Sequence, residues 1–312
     1  MKCIREDKVT VVHGVPTMFI QELNLVTAAD KENNAFRHLR TGLIGGSPIP
    51  EQMRERLHDD MHGSELCNAY GMTETSSVVC MTAKDDALRY KISSVGRMVP
   101  HMSARIVARD DPSRTLSHDQ RGELIISGYG VMKGYWQNEA ATAKNQYYEV
   151  LSAAGPDDEQ KTRTWMRTGD EAMMDRDGYI TVTGRIKDII IRGGENIYPL
   201  DIENVLIRHP DVADAAVIGL PDVVYGEAVA TFIVWRHPGS GGEGGVPITS
   251  QATQEQPVLM KDTQELSSWL RGKLTPFQIP KLVFSIGSLP LTASGKVDKV
   301  ALRRIGAMTL QS

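Results

Sequence analysis

The side chains best suited to chemistry in these 312 residues sit in a few short, glycine-punctuated segments. Tyr70-Gly71-Met72-Thr73-Glu74 brings an aromatic ring, a hydroxyl and a carboxylate within five residues. A ring followed by Gly can lie flat against a planar base, because Gly lets the backbone turn away. Such stacking is worth about 1–3 kcal/mol. Glu74 offers the oxygen chemistry that Mg²⁺ prefers beside phosphate. Read alone, the segment is better explained as a solvated turn after a strand. Gly45-Gly46-Ser47-Pro48 presents bare backbone that a ligand can approach, and a simple turn explains each residue about as well. Asp170 follows a Thr168-Gly169 turn, and its carboxylate suits a vicinal diol. Arg185 is a rigid fork of donors for a sugar and phosphate, or else a surface salt bridge. Lys296, on Thr292-Ala293-Ser294-Gly295-Lys296, is a mobile point charge or a helix-initiating basic residue. Where negative charge develops in a reaction, losing one such donor costs about 3–4 kcal/mol.

The series carries more than any member. In order it runs Gly45-Gly46-Ser47-Pro48, Tyr70-Gly71-Met72-Thr73-Glu74, Gly122-Glu123-Leu124 with Gly134-Tyr135-Trp136, Arg167-Thr168-Gly169-Asp170, Gly184-Arg185-Ile186-Lys187-Asp188 with Gly193-Gly194-Glu195-Asn196, and Thr292 to Lys296. Over nearly the whole chain this resembles the adenylate-forming (AMP-binding) superfamily of acyl-CoA synthetases, luciferases and peptide-synthetase adenylation domains. The resemblance implies that Tyr70 stacks on adenine, Thr73 touches the α-phosphate and Glu74 holds Mg²⁺. It implies that Gly45, Gly46 and Ser47 lie against the base, with Gly71 beside Tyr70. Asp170 then takes both ribose hydroxyls, Arg185 supports the ribose and phosphate, and Lys296 serves adenylate formation. Lys187 marks the hinge of a swinging small domain, a role of its backbone. Gly193-Gly194-Glu195-Asn196-Ile197-Tyr198-Pro199 looks like acyl-CoA synthetases, especially the medium-chain branch, where the Gly-Gly backbone borders the pantetheine tunnel of CoA. His13-Gly14-Val15-Pro16-Thr17-Met18-Phe19 is similar to that branch too, with His13 itself read as a packed core histidine.

The elements that must hold these residues are legible in outline. Val9 to Val12 reads as a β-branched strand, Met18 to Leu25 as a helix, Leu43 to Pro48 as a buried strand with a tight turn. Pro50 to Met61 reads as a helix with Met53, Leu57 and Met61 on one face. This alternation predicts part of a parallel α/β sheet over 1–95. From Gly96, short strands at Arg105–Val107, Gly122–Ile126 and Gly178–Thr183 predict a small antiparallel, barrel-like β subdomain over 96–186. Residues 187–312 read as a mobile α+β domain. It has a helix from Pro199 to Arg208, strands at Ala215–Ile218 and Ala228–Trp235, and a helix N-capped by Thr263. Its core is expected from Ile202, Val205, Leu206, Val217, Ile218, Phe232, Val234, Leu266 and Trp269. Ser152 to Arg163 and His237 to Gln256 look like polar insertions. The expected fold class is thus α/β, the C-terminal part of the adenylate-forming fold.

Composition is ordinary for a globular protein, with 41% hydrophobic and 24% charged residues. The net charge of −4 gives no basic excess for nucleic acid. No apolar run is long enough to span a bilayer. Cys3, Cys67 and Cys80 are too few and too scattered for a disulfide framework or a zinc site, which points to a reducing, cytoplasmic setting. Mitochondrial or peroxisomal siting stays open if more chain precedes Met1.

One departure from the family stands out. No Gly/Ser/Thr-rich loop with a following Lys, the family's cradle for the β- and γ-phosphates, precedes these motifs. The expectation is therefore an ATP-, Mg²⁺- and CoA-dependent carboxylate–CoA ligase acting on a fatty or related acid, lacking an N-terminal half and inactive alone. The alternatives are a non-catalytic interaction module and an adenylation domain that loads a carrier protein.

Overall fold

The computed structural model describes residues 1–46, 49, 51–61, 66–151, 162–236, 257–260, 262–293 and 295–310. Ser47, Pro48, Ser294 and most of the two expected insertions lie outside the described residues. The chain divides into two compact units: Met1–Ile20 with Val26–Ile186, and Gln21–Leu25 with Lys187–Ser312.

In chain order the structure opens with α1 (Lys2–Arg5), β1 (Val11–Gly14), α2 (Pro16–Asn24), α3 (Ala28–Glu32), β2 (Thr41–Gly45) and α4 (Glu51–Met61). Then come β3 (Leu66–Met72), β4 (Ser77–Met81), α5 (Leu88–Ser93) and β5 (Arg97–Met98). The five strands form one sheet in sequence order. As expected from its spacing, α4 buries Met53, Leu57 and Met61. The sheet is parallel only from β1 to β3, whereas β4 and β5 run antiparallel, so the parallel expectation needs correcting. The cause is local. A 3-10 turn at Thr73–Thr75, then Ser76 and Ser77 at φ 56° and 77°, reverse the chain at once, leaving no room for a crossover helix. The first strand is Val11–Gly14, two residues later than read, and it lies at the sheet edge. His13 is consequently exposed, not packed in the core, and its Nδ1 accepts the Leu43 N–H at 3.1 Å.

A second sheet follows, built from β6 (Met102–Val107), β7 (Gly122–Gly128), β8 (Gln146–Val150), β9 (Thr162–Met174) and β10 (Ile180–Arg185). Helix α6 (Glu139–Asn145) precedes β8. The strand order is β10-β9-β7-β6, with β8 on β9, all antiparallel. One face buries Ile106, Leu124, Ile126, Ala172 and Ile180 with Val79 and Cys80, and the other buries Val107, Ile125 and Trp165. The long β9 overturns the reading of Thr168-Gly169 as a turn, because both residues lie inside this strand. The pairing of β7 with β9 goes from Glu123↔Glu171 to Ile125↔Arg167, so two steps on β7 span four on β9. That bulge, with Gly169 at φ 69°, re-aims the residues around Asp170.

The second unit holds β11 (Ile190–Arg192), β12 (Glu195–Ile197), α7 (Pro199–Leu206), β13 (Val212–Asp222), β14 (Gly226–Trp235), β15 (Val258–Leu259), α8 (Gln264–Leu270), β16 (Leu282–Ser285) and α9 (Lys299–Thr309). The sheet order is β12-β11-β14-β16-β15, with β13 pairing β14. The expected single core is two. Ile202, Leu206, Val217, Val229, Ile233, Leu266 and Leu270 pack on one face, under α7 and α8. Ile218, Phe232, Phe284 and Leu302 pack on the other, under α9. Alternate residues of β13 and β14 point to opposite faces, and both faces are covered, which is why these strands read as continuous apolar runs. Pro199 occupies the first turn of α7, which ends at Leu206, short of the expected Arg208. Thr263 stands at the N-cap of α8 without a side-chain capping bond; Asp262 Oδ1 accepts the Gln264 N–H instead, at 3.0 Å. Among the described residues no helix is long and apolar enough to cross a membrane.

Candidate active site

The first unit gathers two of the candidate residues, Tyr70 and Arg185, around the buried carboxylate of a third, Asp170. Tyr70 and Gly71 lie on β3 before its reversal, where the pairing with β4 slips between them. A Cβ on Gly71 would sit 1.4 Å from the Ser77 carbonyl oxygen. Gly71 therefore lets the returning strand pass, a packing need not foreseen in the sequence. Tyr70 donates its hydroxyl to Asp170 Oδ2 at 2.6 Å. Arg185, directly opposite Asp170 in the β9–β10 register, places Nε 2.8 Å from Oδ1. Asp170 is only 4% exposed, so its charge needs this pairing. Its N–H is accepted by Thr168 Oγ1 at 3.1 Å, and Thr168 in turn donates to the Leu124 carbonyl at 2.8 Å. Next in line, Glu171 points to Arg109 and Thr183 instead. Burial first, and then the Asp170 charge, push the Tyr70 phenol far above its usual range, so it stays a donor. The two sequence readings of Arg185 meet here: it makes an ion pair, and the partner is the carboxylate expected to face ribose.

Glu74 stands in the 3-10 turn, half-buried, 61 residues before the group it meets. Tyr135 donates its hydroxyl to Glu74 Oε1 at 2.9 Å, and the Met132 N–H reaches the Glu74 carbonyl at 2.8 Å. Thr73 is exposed on the same turn. Among the described residues no cluster of three or more His, Cys, Asp or Glu could hold a metal. A lone carboxylate still fits Mg²⁺, which binds through one or two carboxylates with water and substrate phosphates completing its shell. Glu74 is the residue that would hold it. Gly45 ends β2, where a Cβ would come within 2.2 Å of the Ala69 carbonyl; packing on β3 thus accounts for its missing side chain. Gly46 follows at φ 93°, and Ser47 is outside the described residues.

The remaining candidates belong to the second unit. Gly193 and Gly194, at φ 59° and 88°, form the two-residue turn between Arg192 and Glu195, the conformation of a tight β-hairpin. The Gly193 N–H donates to the Tyr225 carbonyl at 2.8 Å, and Arg192 lies over the Tyr225 ring. Lys296 is exposed on a loop closed by Thr292 N–H to the Lys296 carbonyl at 2.7 Å. It precedes α9 by three residues and does not start that helix, whose N-cap is Asp298. Lys187 is the exposed first residue of this unit after Ile186, and neighbouring Asp188 pairs with Arg303 of α9 at 2.9 Å.

Residues 1–136 match the family model described as AMP-binding enzyme, and residues 201–296 match that of the AMP-binding enzyme C-terminal domain. The chain belongs to the AMP-binding, adenylate-forming enzymes. It is similar to the acyl-CoA ligase sidI of Aspergillus fumigatus, with 38% identity over 100% of this chain and 48% of that protein. It is also similar to the mitochondrial medium-chain acyl-CoA ligase ACSF2 of Mus musculus, with 36% identity over 97% of this chain and 43% of the relative. Among solved structures, ATP-bound MatB from Rhodopseudomonas palustris superposes with a TM-score of 0.75 at 27% identity, covering 96% of this chain and 51% of that one. The chain thus spans about half the length of the curated relatives it matches.

In this member of the AMP-binding family, the sequence reading missed the contact of Tyr135 with Glu74. Its Gly134-Tyr135-Trp136 segment served only as a family mark. The signal was a phenol 61 residues beyond a carboxylate, and that spacing means nothing until the loop after β7 folds back onto the Thr73–Thr75 turn. Thr168, quoted within a motif, likewise had no assigned task.

Proposed function

We propose that the chain carries the nucleoside-binding and lid portions of an AMP-forming carboxylate–CoA ligase. The reaction has two steps. A carboxylic acid and ATP give acyl-adenylate and pyrophosphate; the thiol of CoA then displaces AMP and forms the thioester. The observation that carries this reading is the Tyr70–Asp170–Arg185 cluster, assembled across 115 residues of sequence in one unit. On this reading Tyr70 offers its ring to adenine while its hydroxyl anchors on Asp170. Asp170 accepts from the ribose hydroxyls, with Arg185 balancing its charge. Glu74 holds Mg²⁺ against the phosphates, and Thr73 touches the α-phosphate. Lys296, arriving on its exposed loop, offsets negative charge on the carboxylate and α-phosphate during adenylation. The Gly193-Gly194 hairpin borders the pantetheine path, and Lys187 is the hinge.

Acyl-CoA ligases among the relatives, a medium-chain enzyme included, support CoA as acceptor and a fatty or related acid as substrate. Val11, Val15 and Met18 are exposed apolar residues at and after the edge strand β1, which supports further chain packing there in the active protein. No Gly/Ser/Thr-rich loop with a following Lys precedes the motif series in these 312 residues, and turnover is therefore assigned to a longer chain. Three free cysteines support a reducing compartment such as the cytoplasm. The test uses a full-length chain carrying these residues. ATP–pyrophosphate exchange should require a carboxylic acid, and thioester should form on CoA. Exchange with thioester on a carrier protein only would reject the CoA assignment; no exchange would reject the ligase reading.

A further inference from the structure

The loop after β7, residues 129–136, lies against the turn that presents Glu74. Ser76 Oγ donates to the Gly130 carbonyl at 2.9 Å, and the Met132 N–H donates to the Glu74 carbonyl at 2.8 Å. Those two bonds already fasten the loop to the turn. The third, from Tyr135 hydroxyl to Glu74 Oε1 at 2.9 Å, acts on the carboxylate itself. Tyr135 is in turn braced. Its N–H is accepted by Thr142 Oγ1 at 2.9 Å, and Thr142 donates to the Asn138 carbonyl at 3.0 Å. Asn138 caps α6 by accepting the Ala141 N–H at 3.0 Å. Gly134 completes the brace, since a Cβ there would come within 2.9 Å of the Thr142 methyl.

From this chain of contacts we infer that Tyr135 is the positioning residue for the Glu74 carboxylate, holding Oε1 so that Oε2 faces the divalent cation. The inference rests on the reading of Glu74 as the Mg²⁺ carboxylate. A carboxylate on a three-residue turn is otherwise free to rotate, and a donor fixed from a separate helix removes that freedom before the metal arrives. Among the described residues Oε2 has no protein partner.

The experiment uses a full-length chain carrying these residues, saturated with a non-cleavable ATP analogue and titrated with Mn²⁺ under electron paramagnetic resonance. Tyr135→Phe, which keeps the ring, should weaken Mn²⁺ binding about tenfold, the size of one charged hydrogen bond. Metal-free AMP affinity should stay within twofold, a separation that a merely structural role would not give. Unchanged Mn²⁺ affinity in Tyr135→Phe would overturn the assignment, provided Glu74→Gln weakens Mn²⁺ in the same assay. Unchanged affinity in Glu74→Gln would instead remove the metal reading of Glu74, and this inference with it. Should Tyr135→Phe fail to bind AMP at all, Thr142→Val removes the brace more gently. It should weaken Mn²⁺ two- to threefold, and no change there would also overturn the inference.

Discussion

Asp170 in the first unit and Lys296 in the second are both expected to serve one adenylation reaction, yet they are held in opposite ways. Asp170 is nearly sealed from solvent, on a bulged strand, with hydroxyl and guanidinium partners on its two oxygens. Lys296 stands exposed on a loop five residues around. The glycines show the same contrast. Gly71 is confined by the Ser77 carbonyl, whereas nothing lies within 4 Å of a Cβ on Gly194. On the proposed roles, the groups assigned to the nucleoside are built into a core and cannot shift without disrupting it. The groups assigned to only one of two half-reactions sit on turns that cost the fold little to move. On that reading, the fixed groups fall in the first unit and the deliverable ones in the second.

The largest expected effect sharpens the functional side of that contrast. In a full-length chain, Lys296→Ala should cut ATP–pyrophosphate exchange by a hundredfold or more. Thioester formation from pre-made acyl-adenylate should stay within a few-fold, and the melting temperature should not move. Equal loss in both half-reactions would make Lys296 a fixed group like Asp170. On the structural side, Gly71→Ala should destabilise the first unit by about 3 kcal/mol or more, because backbone must move to admit the methyl. Gly194→Ala, strained only by its positive φ, should cost about 1–2 kcal/mol in the second unit. Urea denaturation of the 312-residue chain measures both, and comparable losses would erase the distinction.

Much of this was readable before the structure, and what was hidden has physical causes. The motif order sufficed to single out Tyr70, Glu74, Asp170 and Arg185 as candidates, because each is a chemically capable residue type inside a local signature. Their pairing was not readable. The register Arg185↔Asp170 depends on β9 being thirteen residues long, and its polar start, Thr162-Arg163, reads as the end of the Ser152 to Arg163 insertion. Gly71 read as a ligand-facing glycine because strand reversal after Thr75 depends on left-handed serines, a conformation that serine rarely advertises. The double-faced core of the second unit did leave a trace in the unbroken apolar runs of β13 and β14.

A smaller effect probes how the Gly193-Gly194 hairpin is seated. Asp222 accepts the N–H groups of Val224 and Tyr225 at 2.9 and 3.0 Å and pairs with Lys281 at 2.5 Å. Lys281 above all, and then those two N–H groups, hold its pKa down to about 2. A depressed carboxyl pKa contributes stability above the unfolded value near 4, and this is lost as the pH falls through about 2. Asp222→Asn should therefore lower the urea midpoint slightly at pH 7 and shrink that difference steadily between pH 4 and pH 2. A difference that persists at pH 2 would place the Asp222 contribution in packing instead of charge.

The central claim is that the first unit holds a preassembled nucleoside site organised by Asp170, and calorimetric titration of AMP into the 312-residue chain tests it most directly. The parent chain should bind AMP without added metal, and Asp170→Ala should weaken that binding at least tenfold, since it strips the ribose of its acceptor and leaves Arg185 without the carboxylate it now faces. Equal AMP affinity in the parent and in Asp170→Ala would contradict the account.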